Sequence, residues 1–79
     1  MADLAVLILA HNEAIHIVRA LDSIRSIAHE VFVIDSGSKD GTRELARQHG
    51  ATVLEHPFIN YAKQFQWAID NAPITSDWV

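Results

Sequence analysis

Residues 31–42, VFVIDSGSKDGT, constrain the fold of this chain more than any other stretch. Four apolar residues run into one carboxylate, Asp35, and a turn of small residues follows before Asp40, Gly41 and Thr42 offer a helix start. An apolar run without polar alternation suits a strand covered on both faces, as parallel strands are. In an open parallel sheet the carboxyl ends of the strands border the ligand crevice, so Asp35 stands where such a crevice would open.

The chain around this stretch repeats the same winding. Residues 4–10 are continuously apolar and break at His11, Asn12 and Glu13, where Asn12 is the expected helix N-cap. Ile15, Val18, Leu21, Ile24 and Ile27 then recur every third residue with polar residues between them, which predicts a helix over residues 14–27. After the strand at residues 31–34, Asp40 is placed to cap a helix over residues 41–49 with Leu45 and Ala46 inward, and Gly50 supplies its stop. Residues 51–55 read as a short third strand that must end before Pro57. A third helix is expected over residues 62–71, with Phe65, Ala68 and Ile69 as its apolar face, Trp67 beside them and Pro73 beyond its end. Residues 77–79 read as the entrance to a fourth strand.

Alternating strands and helices predict an α/β fold, a parallel sheet of three to four strands with flanking helices. Right-handed crossovers give the strand order 3-2-1-4, which puts the switch point between strand 1 and strand 4. Until strand 4 is laid down, strand 1 is an apolar edge and a pairing hazard.

Composition narrows the function classes. A chain of 79 residues is at most one small domain, and a hydrophobic content of 49% is ample for a core. The net charge of −4, with six scattered Lys and Arg, gives no electrostatic footprint for nucleic acid. With no cysteine there is no disulfide framework and no thiolate metal site; an intracellular, cytoplasmic location fits. The start lacks the basic region of a signal peptide, and a seven-residue apolar run is too short to cross a bilayer.

Common signatures are missing: no Gly-x-Gly-x-x-Gly, no Gly-Lys-Ser/Thr phosphate loop and no His-Glu-x-x-His occur. The five His residues, at 11, 16, 29, 49 and 56, are too scattered to suggest a metal site. Asp35 is the strongest candidate for ligand contact, since a carboxylate at a strand end accepts hydrogen bonds from a base imide or a ribose hydroxyl; the same residue could simply cap its own turn. Ser36, Gly37 and Ser38 permit close backbone approach to a ligand, as they do in any tight turn. Asn12 and Glu13 suit a ligand or a helix start equally, and His11 could present its ring to a base or to solvent. Lys63 and Gln64 open the third helix, where a cation could face a diphosphate. Tyr61, Phe65 and Trp67 read as packing aromatics.

Taken together, LILAHNE at residues 7–13, VIDSGSKDGT at residues 33–42 and the helix carrying Gln64 to Ala68 resemble family-2 glycosyltransferases of the GT-A, Rossmann-like fold, and in particular transferases of bacterial lipopolysaccharide or capsule assembly. The resemblance implies that residues 1–79 are the N-terminal nucleotide-sugar-binding portion of such a domain. It implies a UDP-sugar partner, with Asp35 on the uracil base, Ala10, His11 and Asn12 flanking it, Glu13 near the ribose, and Ser36 and Gly37 in the turn that aims Asp35. His11 stands where the family often has Tyr, and Phe65 and Gln66 where it has a basic residue and Asn.

The family's metal-binding Asp-x-Asp and its catalytic base are expected beyond residue 79, so a divalent metal, Mg or Mn, belongs to the intact enzyme, and these 79 residues alone are expected not to transfer sugar. Self-association or docking on the remainder of the catalytic domain is expected of the open sheet edge, and peripheral membrane association is compatible with the intact enzyme. The competing readings are a non-catalytic α/β assembly module and, more remotely, a nucleotidyltransferase, which would need a Gly-rich loop where His11, Asn12 and Glu13 stand.

Overall fold

A computed structural model describes residues 4–75. Three parallel strands, β1 (Ala5–Ala10), β2 (Glu30–Asp35) and β3 (Thr52–Glu55), form one sheet in the order β1-β2-β3. Their register pairs Ala10 with Asp35 and Asp35 with Glu55, so all three strands end at one level. Between and after them lie α1 (Ala14–Ile24), α2 (Thr42–Gln48) and α3 (Tyr61–Asn71). The expected 3-2-1 order is therefore present, and the expected fourth strand at 77–79 lies outside the described residues.

Handedness explains the layering. Moving from β1 to β2 to β3 in one direction puts α1 and α2 on the same face, whereas α3, heading back past β1, must lie on the other. Strand alternation then sorts the side chains. Ile8, Ala10, Val31, Val33 and Val53 pack with Ile17 and Leu21 of α1 and Ala46 of α2. Ala5, Leu7, Leu9, Phe32, Ile34 and Leu54 pack with Trp67 and Ala68 of α3. Thr75 N–H donates to Glu30 Oε1 at 3.0 Å, so the chain has returned to the amino-terminal end of the sheet by that point.

Two helices differ from expectation. α1 ends at Ile24, and Ile15 and Ile27 of the predicted apolar face are 84% and 64% exposed. The reason is geometric: each step of three residues falls about 60° short of a full turn, so five such positions sweep around the helix. Ile17 and Leu21 hold the core instead, with Val18 and Ile24 beside them. In α3 the buried residues are Gln64 and Ala68, while Phe65 and Ile69 of the expected apolar face are half exposed. They border an open apolar groove with Leu4 and Val6 along the free side of β1. Among the described residues β1 is thus the apolar edge strand that the sequence predicts.

Candidate functional site

A cleft of about 340 Å³ opens at the carboxyl ends of β1 and β2. Its first wall is built from the β1–α1 and β2–α2 turns, which hydrogen bonds join across 25 or more residues of sequence. Asn12 N–H donates to Ser38 Oγ (2.8 Å), Glu13 N–H to Thr42 Oγ1 (2.9 Å) and Ala14 N–H to Asp40 Oδ2 (3.1 Å). Each hydroxyl in turn donates a hydrogen bond to a carboxylate, Ser38 to Asp35 Oδ1 and Thr42 to Asp40 Oδ1. In the other direction Asn12 Oδ1 accepts from Lys39 N–H at 2.8 Å. The first amides of a helix have no intrahelical partner. At the start of α1 the amides of Glu13 and Ala14 are satisfied by the neighbouring turn rather than by a local cap.

This corrects the expected N-cap. Glu13 occupies that position with no side-chain cap, and Asn12 lies one residue earlier in the left-handed region at φ 53°. Asn is among the few residues other than Gly that tolerate this conformation. Asp40 too lies one residue before the cap expected of it: Gly41 is the N-cap of α2 at φ 87°, and Asp40 Oδ1 accepts from Thr42 N–H at 3.1 Å. The Thr42 hydroxyl above all holds the Asp40 carboxyl below the usual carboxylate range; desolvation opposes it, and the Ala14 and Thr42 amides assist.

Asp35 is not on the cleft wall. It is completely buried, and its carboxylate accepts from Gly37 N–H (3.1 Å), Ser38 N–H (2.9 Å) and the Ser38 hydroxyl, with Arg43 Nε at 3.9 Å. Arg43 also pairs with Glu55 and donates to Ser38 O, tying the turn to the end of β3. Parity is the cause. Asp35 points to the side of Val31 and Val33, under α2, whereas Ile34 and Ser36 point to the side of α3, where the cleft is. Of the residues expected at the site, Ala10, His11, Glu13 and Ser36 line the cleft, and Asn12, Asp35 and Gly37 support it from outside the lining.

The second wall was not anticipated. It consists of Phe58 and Tyr61, in an edge-to-face pair with centroids 5.1 Å apart, and of buried Gln64. Tyr61 is 70% exposed, so the packing role expected of it is not the one it has. Gln64 Nε2 donates to His56 O (3.2 Å), and its Oε1 faces His56 Nδ1 (2.9 Å). The His56 ring stacks on Trp67 with centroids 4.2 Å apart. Asn60 caps α3 by accepting from Lys63 N–H at 2.9 Å. Strand parity could have revealed Leu9, Ile34 and Ser36 as cleft residues; no local signal marks Phe58 or Gln64.

Among the described residues no three His, Asp or Glu side chains gather as metal ligands. Asp35 is committed to its turn and Asp40 to two helix starts, so the donor chemistry present does not fit a divalent cation.

An open parallel sheet with a cleft at its carboxyl edge, flanked by a small-residue turn, defines the class of α/β domain whose ligands bind at the strand ends. Comparison with known proteins narrows this. Residues 5–79 match the family described as glycosyl transferase family 2, and the chain belongs to that family. It is 37% identical over all 79 residues to an uncharacterised glycosyltransferase of Rickettsia felis, covering 27% of that protein. It is also 43% identical over 49 residues to the glycosyltransferase AglE of Haloferax volcanii, which covers 56% of the chain and 16% of that protein. Among solved structures, glucosyl-3-phosphoglycerate synthase of Mycobacterium tuberculosis, in complex with Mn2+, UDP and glucosyl-3-phosphoglycerate, superimposes with a TM-score of 0.73 at 26% identity over 99% of this chain and 33% of that one. The same synthase with Mn2+ and UDP-glucose gives a TM-score of 0.72 at 28% identity, over 96% of this chain and 30% of that one. The chain spans about a quarter of the length of the Rickettsia relative.

Proposed function

We propose that the chain binds the nucleotide of a UDP-sugar in the cleft at the carboxyl ends of β1 and β2, as the N-terminal portion of a glycosyltransferase. The observation that carries this reading is the convergence of Ala10, His11, Glu13 and Ser36 on one cleft in a chain of this family. Structural neighbours bound to UDP and UDP-glucose support the choice of nucleotide. In this reading Ala10, His11 and Ser36 border the base, and Glu13 faces the ribose. Asp35, Gly37 and Asn12 act one step back by fixing the backbone on which those residues stand.

The intact enzyme would displace UDP from the anomeric carbon with an acceptor hydroxyl, in the assembly of a cell-surface polysaccharide or lipopolysaccharide on the cytoplasmic side. The described residues contribute binding and orientation. The neighbours that hold Mn2+ support a divalent metal, Mn or Mg, in the intact enzyme, where it would stabilise the leaving diphosphate. The groove beside β1, bordered by Leu4, Val6, Phe65 and Ile69, is where the remainder of the catalytic domain would add to the sheet.

Calorimetric titration of the intact protein tests the reading. UDP should bind and ADP should bind at least about tenfold more weakly, a difference of about 1.4 kcal/mol. Equal affinities for the two, or no heat at millimolar UDP, would remove it.

A further inference from the structure

The hydrogen bonds around His11 are closed in a way that fixes its tautomer. His11 Nδ1 lies 3.0 Å from the carbonyl oxygen of Ser36, and a carbonyl only accepts, so Nδ1 carries the proton. His11 Nε2 lies 3.3 Å from Asn12 Nδ2, an amide nitrogen that only donates, so Nε2 keeps its lone pair. The Asn12 amide cannot be turned over to reverse this, because its Oδ1 accepts from Lys39 N–H at 2.8 Å. The left-handed backbone at Asn12 and the bond from its N–H to Ser38 Oγ fix where that side chain starts. One residue thus touches the β2–α2 turn twice and the ring of the cleft residue His11 once.

We propose that Asn12 is a positioning residue. It holds His11 as the Nδ1–H tautomer, with its ring fixed at the cleft mouth against Ser36, and through that ring it sets the affinity for the nucleoside. This assignment rests on the nucleotide reading above for its effect on binding, but its effect on the ring is independent of any ligand. The groups facing the His11–Asn12 pair from the adjoining turn are the Ser36 carbonyl, Ser38 and the Lys39 amide. The role differs from the flanking of the base expected of Asn12: its Nδ2 meets the His11 ring and its Oδ1 accepts from Lys39 N–H.

Asn12→Asp reverses the contact: it keeps the acceptor for Lys39 N–H and the tolerance for a left-handed backbone but turns the donor facing His11 into an acceptor. Nitrogen-15 spectra of the imidazole in the intact protein should show Nδ1–H with an unprotonated Nε2 in the wild type. In Asn12→Asp, proton density should shift onto Nε2. UDP affinity should fall about two- to tenfold, the range that one net hydrogen bond supplies. In a His11→Phe background the same substitution should cost nothing further. A wild-type ring that is Nε2–H or averages both tautomers overturns the proposal whether or not UDP binds. So does an Asn12→Asp affinity equal to that of the wild type, or a loss that persists without His11. Absence of UDP binding in the wild type instead refutes the nucleotide reading and leaves the tautomer measurement to decide the role of Asn12.

Discussion

The two walls of the cleft are held by different means. The wall from β1–α1 and β2–α2 is a polar weave in which Asp35, Ser38 and Thr42 are buried and every buried side-chain polar atom has a partner. The wall from β3–α3 is anchored by the buried amide of Gln64 on His56 and by the His56–Trp67 stack, and it carries two exposed aromatics, Phe58 and Tyr61, in an edge-to-face pair. The first wall should be as stable as the fold itself, because its bonds are the helix starts. The second can adjust to what enters. Substitutions in the first should therefore damage folding before binding, and those in the second binding before folding.

The largest expected effect comes from breaking the polar weave at its centre. Asp35→Ala leaves the Gly37 and Ser38 amides and the Ser38 hydroxyl without their acceptor, each costing about 1–3 kcal/mol when buried. Chemical denaturation should show a loss of at least about 3 kcal/mol, with reduced UDP binding following from the damaged fold. A loss below about 1 kcal/mol would mean that the turn holds without its carboxylate. On the other wall, Tyr61→Ala should change stability by less than about 0.5 kcal/mol, as exposed substitutions do, while weakening UDP about threefold or more. Stability lost without affinity would invert the comparison.

The smallest effect is electrostatic and concerns Asp40. Its folded-state pKa is lowered, first by the Thr42 hydroxyl, so its contribution is present above the ordinary carboxylate pKa of about 3.9 and fades as pH falls through the lower folded value. An acid unfolding profile of Asp40→Asn should therefore lose less stability between neutral pH and pH 3 than the wild type. Identical acid limbs would remove Asp40 from the weave.

Much of this architecture can be read from local sequence. The apolar runs at β1 and β2, the turn after Asp35 and the stop at Gly50 each announce themselves within a few residues. Asp35 is legible as a strand-end carboxylate, whereas its burial follows from strand parity, which puts it on the side of Val33 and leaves Ser36 on the side of the cleft. The bonds from Asn12, Glu13 and Ala14 to Ser38, Thr42 and Asp40 span 26 to 29 residues, and no local rule joins them. Gln64 escaped because a polar residue on a helix reads as solvent-facing; its burial depends on His56, eight residues away across a loop. The family resemblance names the nucleotide, whereas the geometry decides which atoms are free to meet it.

The central claim is that a nucleotide sits between these two walls, and amide shift mapping of the intact protein during UDP titration tests it most directly. The account predicts the largest perturbations at Ala10, His11, Ser36 and Tyr61, with smaller ones at Asp35 and Ser38 behind the wall. Perturbations centred on Arg25 and His49 at the opposite end of the sheet, or none at millimolar UDP, would contradict it.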